Sequence, residues 1–321
     1  MLPNFAYIRA HSKQEALENL TAEGAYVHAG GTDLLGCARD EIFAVEKLVS
    51  ISRLDELKGI DRTGDGRLRI GALTTISEVS SSSLVREGYP GLAQAAGDVA
   101  SPQLRNQGTL GGNLCQRPRC WYFRGDFECA KKGGDMCFAV EGENRYHAIF
   151  GGDPCYIVHP SDTAPMLVAL GAEVRLSGPG GDRSMALESF FVLPAQDLGR
   201  ENVLQRGEIV TEVLLPEAAG VKSSYRKIRE RGVWDFALVS VALAVRMSGS
   251  TIAEASVVLG GVAPVPWRSK AAEAALTGKE MSSSLAEEVA AAAVSGAQPL
   301  EQNSYKVALA RGAIVESLQA L

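Results

Sequence analysis

Cys120, Cys129, Cys137 and Cys155 stand in one stretch of this 321-residue chain, separated by eight, seven and seventeen residues. Thiolates are the usual ligands of iron–sulfur clusters and of structural zinc. Zinc sites typically use C-x2-C knuckles that hold two ligands on one short turn, and this chain has none. It also lacks the C-x2-C-x2-C run of bacterial ferredoxins. Widely spaced thiols suit a larger object that a loop wraps around, so a cubane cluster fits better than one ion. Spacing alone ranks iron–sulfur ahead of zinc and of no metal, and leaves all three open. Arg117, Arg119, Arg124, Lys131 and Lys132 lie among the thiols, where cations would offset the negative charge of a thiolate-held cluster. Trp121, Tyr122 and Phe123 would exclude water from it.

Two glycine turns flank the same half of the chain. "AGGTDLL" (29–35) follows a strand-like run, and "GTLGGNL" (108–114) precedes the cysteines. Paired glycines let a backbone approach a ligand closely, and successive N–H groups then converge on a phosphate. Thr32, Asp33, Thr109 and Asn113 can add side-chain hydrogen bonds. Neither turn matches the Rossmann fingerprint or the P-loop. Each alone is a weak signal, and the pair is more specific.

The surrounding elements read as α+β. Strands are predicted at 5–9, 25–29 and 47–51, with a helix over 12–24 capped by Ser12 and stopped by Gly24. Residues 59–72 read as a hairpin turning at Asp65-Gly66, followed by two helical stretches to Val99. Residues 100–160 show no sustained period, and a loop this long is usually functional. Helix then strand resume over 161–178, with Ser161 as cap and Asp162 in the first turn. Two apolar strands, 237–247 and 251–262, and three alanine-rich helices near 267–277, 284–295 and 302–320 finish the chain. A boundary near Pro216–Gly220 divides it into domains 1–217 and 218–321, the second an antiparallel sheet backed by helices.

Composition narrows the function classes. The net charge of −6 argues against nucleic acid as the main partner, because phosphate backbones need clustered Lys and Arg. The basic run "KSSYRKIRER" (222–231) could serve one phosphate or one flavin. No apolar stretch reaches the length of a membrane span, and the N-terminus does not read as a secretory signal. The expected location is the cytoplasm, unless a signal-bearing partner exports the chain. There, cysteines serve as ligands or core residues more often than as disulfides. Cys37, on a helix after the first glycine turn, reads as a buried small hydrophobe.

The order "AGGTDLL", "SPQLRNQGTLGGNL", "HPSDTAP", "YRKIRERGVWDFALVSVA" resembles the FAD-binding medium subunit of the molybdenum hydroxylases, the xanthine dehydrogenase family, over nearly the whole chain. The resemblance implies a two-lobed FAD-binding domain of the p-cresol methylhydroxylase type, followed by a CO-dehydrogenase-flavoprotein-like C-terminal domain. Ala29, Gly30, Gly31, Thr32, Asp33 and Leu34 would wrap the FAD pyrophosphate. Thr109, Gly111, Gly112 and Asn113 would make the second phosphate and ribitol contact, with Ser101 and Asn106 nearby. Asp162 would bind ribose or ribitol hydroxyls, Val210 would touch the adenine side, and Lys227 and Trp234 would lie by the flavin ring. A cation at Lys227 would stabilise charge on reduced flavin. FAD would be noncovalent despite His28 and the other histidines.

"QRPRCWYFR", "CAKKGG", "CFAVEGENRYHAI" and "CYIVHPSD" are similar to an insertion at about 115–158 that binds a [4Fe–4S] cluster in a subset of the family, known in 4-hydroxybenzoyl-CoA reductase and bacterial periplasmic aldehyde oxidoreductase. Cys120, Cys129, Cys137 and Cys155 would be its ligands, with Cys115 left to the core and His147 an ordinary loop histidine. No residue of this chain would be catalytic toward the substrate. The partners implied are a molybdopterin-binding large subunit and a small subunit with two [2Fe–2S] clusters, a dimer of such heterotrimers being one arrangement. Substrate classes left open are aromatic acyl-CoA, aldehyde and N-heterocycle. The external carrier is equally open among NAD, ferredoxin, quinone and oxygen. The alternatives are a stand-alone FAD-dependent oxidase of the same fold and a non-enzymatic zinc-loop scaffold.

Overall fold

In the computed structural model, which describes residues 1–321, the short N-terminal strands form a parallel sheet. β1 (Ala6–Arg9), β2 (Ala25–His28) and β3 (Lys47–Ser50) lie in the order β1-β3-β2. Parallel neighbours need crossovers. The helix Lys13–Leu20 follows β1 and buries Ala16, Leu17 and Leu20. Ser12 Oγ accepts the Glu15 N–H at 3.1 Å, as the cap pattern predicts. The helix ends at Leu20 with Thr21 as C-cap, before the predicted stop at Gly24.

The second lobe is a five-stranded antiparallel sheet. It contains β4 (Ile60–Arg62), β5 (Leu68–Gly71), β6 (Glu173–Gly178), β7 (Gly181–Ala186) and β8 (Ile209–Leu215), in the order β4-β5-β8-β6-β7. The predicted hairpin is β4–β5. No strand is predicted over 181–186 or 209–215, yet β8 sits between β5 and β6. The stretch before Val99 holds three helices rather than two: Ile76–Ser81, Ser83–Gly88 and Pro90–Gly97. Pro90 cannot continue the helix before it and instead starts the next.

The C-terminal sheet contains β9 (Val221–Ile228), β10 (Val239–Ser248), β11 (Thr251–Gly260) and β12 (Trp267–Arg268), all antiparallel. Successive β10 side chains face opposite ways. Val241, Leu243 and Val245 join a core with the helices Lys270–Leu276, Ser283–Val294 and Tyr305–Gln319. Ala242 and Ala244 join the core of the second lobe, beside Leu92 and Met166. The helix Pro90–Gly97 thus lies directly on β9, and Gln94 Oε1 accepts the Tyr225 N–H at 2.9 Å.

Residues 100–160 contain the short helices Pro102–Gln107, Leu110–Leu114 and Trp121–Arg124 and the 3-10 turn Ala130–Lys132, and are otherwise irregular. The second glycine motif is a helix start rather than a free turn. Thr109 is the N-cap, and its Oγ1 accepts the Gly112 N–H at 3.2 Å.

Candidate functional site

Both glycine motifs line one cleft of about 430 Å³. Ala29, Gly30, Gly31, Thr32, Asp33 and Leu34 form one wall, and Thr109, Gly111 and Gly112 another. The loop 199–207 and the start of β8, with Val210, close it. The two turns touch through the main chain. A Cβ on Gly30 would lie 1.9 Å from the Gln107 carbonyl oxygen, and Gly31 holds φ +71°. Any larger residue at 30 would part the turns, so glycine is required by contact here.

A second cleft, about 320 Å³, lies between the cysteine segment with the 158–162 run and the C-terminal domain. Arg119, Trp121, Tyr146, His159, Asp162 and Phe236 are among its walls. Asp162 is nearly sealed from solvent. Lys227 Nζ reaches its Oδ2 at 2.7 Å, and the Tyr225 hydroxyl donates to Oδ1 at 2.9 Å. Burial lifts the Asp162 carboxyl above its ordinary value, and Lys227 opposes that rise. Burial, then the Asp162 charge, raises Tyr225 well above the usual phenol range. Burial also holds His159 down at about 4.

The four widely spaced thiols come together. Cys120, Cys129, Cys137 and Cys155 line one small enclosed space with Tyr122, Phe123, Phe138 and His147. The main-chain N–H groups of Tyr122 and Phe123 near Cys120, of Ala139, Val140 and Tyr156 near Cys137, and of Ile157 near Cys155 favour the thiolate forms. Cys137 and Cys155 shift each other's titration in opposite directions. The hydrogen bond from Cys155 and the N–H groups lower Cys137 to about 6, while its bond to Cys137 and burial raise Cys155. Burial pushes Cys120 up to about 11. No three Cys, His, Asp or Glu groups converge closely enough to share one metal ion. Gly134 is tight, since a Cβ there would meet the Glu128 carbonyl oxygen at 1.8 Å.

The match to known proteins shows the family. A family profile described as the FAD binding domain in molybdopterin dehydrogenase matches residues 3–218, and one described as the CO dehydrogenase flavoprotein C-terminal domain matches 223–321. The chain belongs to the FAD-binding medium-subunit family of xanthine and carbon monoxide dehydrogenases. It is 39% identical to the aldehyde oxidoreductase FAD-binding subunit PaoB of Escherichia coli K12, over 98% of this chain and 97% of that one. It is 29% identical to the carbon monoxide dehydrogenase medium chain of Hydrogenophaga pseudoflava, over 99% and 97%. The solved carbon monoxide dehydrogenase from that organism, lacking the Mo-pyranopterin moiety of its cofactor, superposes with a TM-score of 0.79 at 30% identity, covering 100% of this chain and 98% of that one. No helix is long and apolar enough to cross a membrane.

Several residues expected to contact FAD line neither cleft. Ser101 caps the helix Pro102–Gln107 by accepting the Leu104 N–H, and neither Ser101 nor Asn106 lines a cleft. Asn113 Oδ1 is spent on the Ser161 and Thr163 hydroxyls, at 2.5 and 2.7 Å. Lys227 lies behind Asp162, with its side chain 1% exposed, rather than on the cleft wall. Trp234 is 66% exposed at φ +52° and lines neither cleft. Ser161 Oγ accepts the Ala164 N–H at 3.0 Å, although the helix Thr163–Ala169 formally starts after Asp162.

The basic residues among the cysteines are also already paired. Asp33 Oδ1 meets Arg124 at 2.7 Å and Arg119 at 2.9 Å, and its Oδ2 accepts the Arg117 N–H at 2.7 Å. Glu201 meets Arg117 at 2.6 Å and Lys131 at 2.7 Å, and Lys132 donates to the Gly125 carbonyl. These cations tie the cysteine segment to the first cleft rather than facing the thiols freely. Cys37 and Cys115 line the first cleft, where burial raises them to about 11 and about 12. Glu201 lies in no motif, and the sequence offers no signal that would have singled it out; His159 and Tyr225 open the motifs "HPSDTAP" and "YRKIRERGVWDFALVSVA", but nothing local marks either as a partner of the site.

Proposed function

We propose that this chain is the FAD- and [4Fe–4S]-bearing electron-transfer subunit of a heteromeric molybdenum hydroxylase that oxidises an aldehyde on a partner chain. The observation that carries the cluster reading is the meeting of four thiols, far apart in sequence, around one enclosed cavity. Four thiolates around one buried space are the usual ligand set of a [4Fe–4S] cluster. One tetrahedral ion would need the thiols to converge on a point, and they do not. Aldehyde is favoured over acyl-CoA and N-heterocycle by the 39% identity to an aldehyde oxidoreductase subunit.

Bound FAD would supply two-electron chemistry and the cluster one-electron chemistry. This chain's residues hold and orient. Gly30, Gly31, Thr32, Thr109, Gly111 and Gly112 present main chain and hydroxyls to the pyrophosphate, and Val210 gives the adenine side an apolar wall. Asp33 and Leu34 support the first turn. Asp162, fixed by Lys227 and Tyr225, presents an oriented carboxyl to the second cleft, which takes the ring end. The partners are a molybdopterin-binding large subunit and a [2Fe–2S] small subunit.

The test is anaerobic purification of the complex, with flavin, iron, zinc and acid-labile sulfide assays and EPR of the dithionite-reduced protein. The expected result is one releasable FAD per chain and a [4Fe–4S] signal beside those of the [2Fe–2S] centres. Zinc in place of that signal would overturn the cluster reading.

A further inference from the structure

Two residues alone line both the second cleft and the cysteine cavity: Cys120 and His147. His147 is 3% exposed, and its Nε2 lies 3.2 Å from Cys120 Sγ. The backbone that carries the imidazole is held by the C-terminal domain. Asn303 Nδ2 donates to the carbonyls of His147 at 3.1 Å and Ala148 at 3.2 Å. Lys306 Nζ donates to the Tyr146 carbonyl at 2.9 Å. Asn303 and Lys306 are fully buried, so the helix Tyr305–Gln319 and the residues just before it clamp the backbone on both sides of the ring. Trp121 and Tyr122 flank the ring at 5.9 and 6.1 Å between centroids. A thiolate only accepts hydrogen bonds, so the tautomer that makes this contact carries its proton on Nε2. Nδ1 is buried with no partner, which leaves Cys120 as the ring's one polar contact.

We propose that His147 is a positioning residue that donates Nε2–H to Cys120 Sγ and thereby raises the one-electron reduction potential of the centre Cys120 ligates, on the side turned to the flavin cleft. The inference rests on the cluster reading above. Hydrogen bonds to ligand sulfurs stabilise the more negative, reduced state of such a centre. The clamp from Asn303 and Lys306 keeps the donor in place, so the C-terminal domain sets a property of a centre held by the other domain.

The test uses the whole complex in two ways. In the wild type labelled with 15N-histidine, pulsed EPR of the reduced [4Fe–4S] centre should show a coupling to one histidine nitrogen, and its absence would overturn the proposal without any variant. His147→Phe should keep FAD and iron. It should weaken the centre's one-electron affinity on the order of tenfold, a shift of ~59 mV to more negative potential, with the flavin potential unchanged. His147→Gln, which restores an N–H donor, should recover part of the shift. An unchanged midpoint in a fully loaded His147→Phe complex would sink the idea. A wild type without the [4Fe–4S] signal would instead defeat the underlying cluster reading.

Discussion

Around Gly30 the main chain builds the site, and around Cys120 side chains do. The Gly30 turn lies against the Gln107 carbonyl, and the facing motif opens a helix through the Thr109 cap. The cysteine segment has little regular structure of its own. It is fastened by Asp33 to Arg119 and Arg124, by Glu201 to Arg117 and Lys131, and by Asn303 and Lys306 to the last helix. A turn made of backbone needs only its own glycines. A loop made of long-range pairs needs partners from three other parts of the chain, and it is therefore the more fragile of the two.

The largest effects should separate the regions cleanly. Gly30→Ala pushes the turn off Gln107, and the FAD content of the complex should fall at least tenfold while iron stays. Cys129→Ser should remove about four iron atoms per chain while FAD stays. Iron, sulfide and flavin assays on both complexes check this. Loss of both cofactors in either variant would mean that the regions are one cooperative unit.

Glu201 and Asp33 probe the joint between them, because each lines the first cleft and grips the cysteine segment. Glu201 is 4% exposed, with two cations on its carboxylate. Removing one side of a buried ionic set costs about 3–5 kcal/mol. Glu201→Gln should therefore lower the denaturation midpoint and reduce FAD and iron together. Asp33→Asn, partly exposed and keeping one acceptor, should do the same by about 1–2 kcal/mol. A Glu201→Gln complex that lost iron alone would show that the fastening serves the cysteines only.

The same contrast explains what the sequence could disclose. Glycine pairs after a strand, the Ser12 cap and the Asp65-Gly66 turn are local signals, and the structure puts elements where they point. The apolar runs of β10 and β11 are equally legible. β8 is not, because its place between β5 and β6 depends on strands far away in sequence. The clustering of the cysteines could be read from spacing, but the use of their neighbouring cations could not. Arg117 and Lys131 look free in sequence, and only the fold brings Glu201 to them. Lys227 looked like a cleft residue for the same reason, until Asp162 and Tyr225 arrived beside it from other elements.

The smallest expected effect concerns the rim of the first cleft, where Glu208 holds the 205–208 turn to β7. Arg183 donates to both carboxylate oxygens, at 2.8 and 2.7 Å, and the Gln205 N–H adds a third bond at 2.8 Å. The Arg183 hydrogen bond, first among several causes, lowers the Glu208 pKa on folding. A carboxyl depressed in the folded state contributes stability above its unfolded pKa of roughly 4.3 and loses that contribution as pH falls through the folded value. Arg183 is 37% exposed, so solvent screens the pair and its worth is roughly 0.5 kcal/mol. Denaturation of wild type and Glu208→Gln should therefore differ by a small constant amount across neutral pH, and the two curves should converge below about pH 4. Iron content should be the same in both. A gap that widened in acid would show that Glu208 is not held by Arg183 in solution, and that the rim of the first cleft owes nothing to this pair.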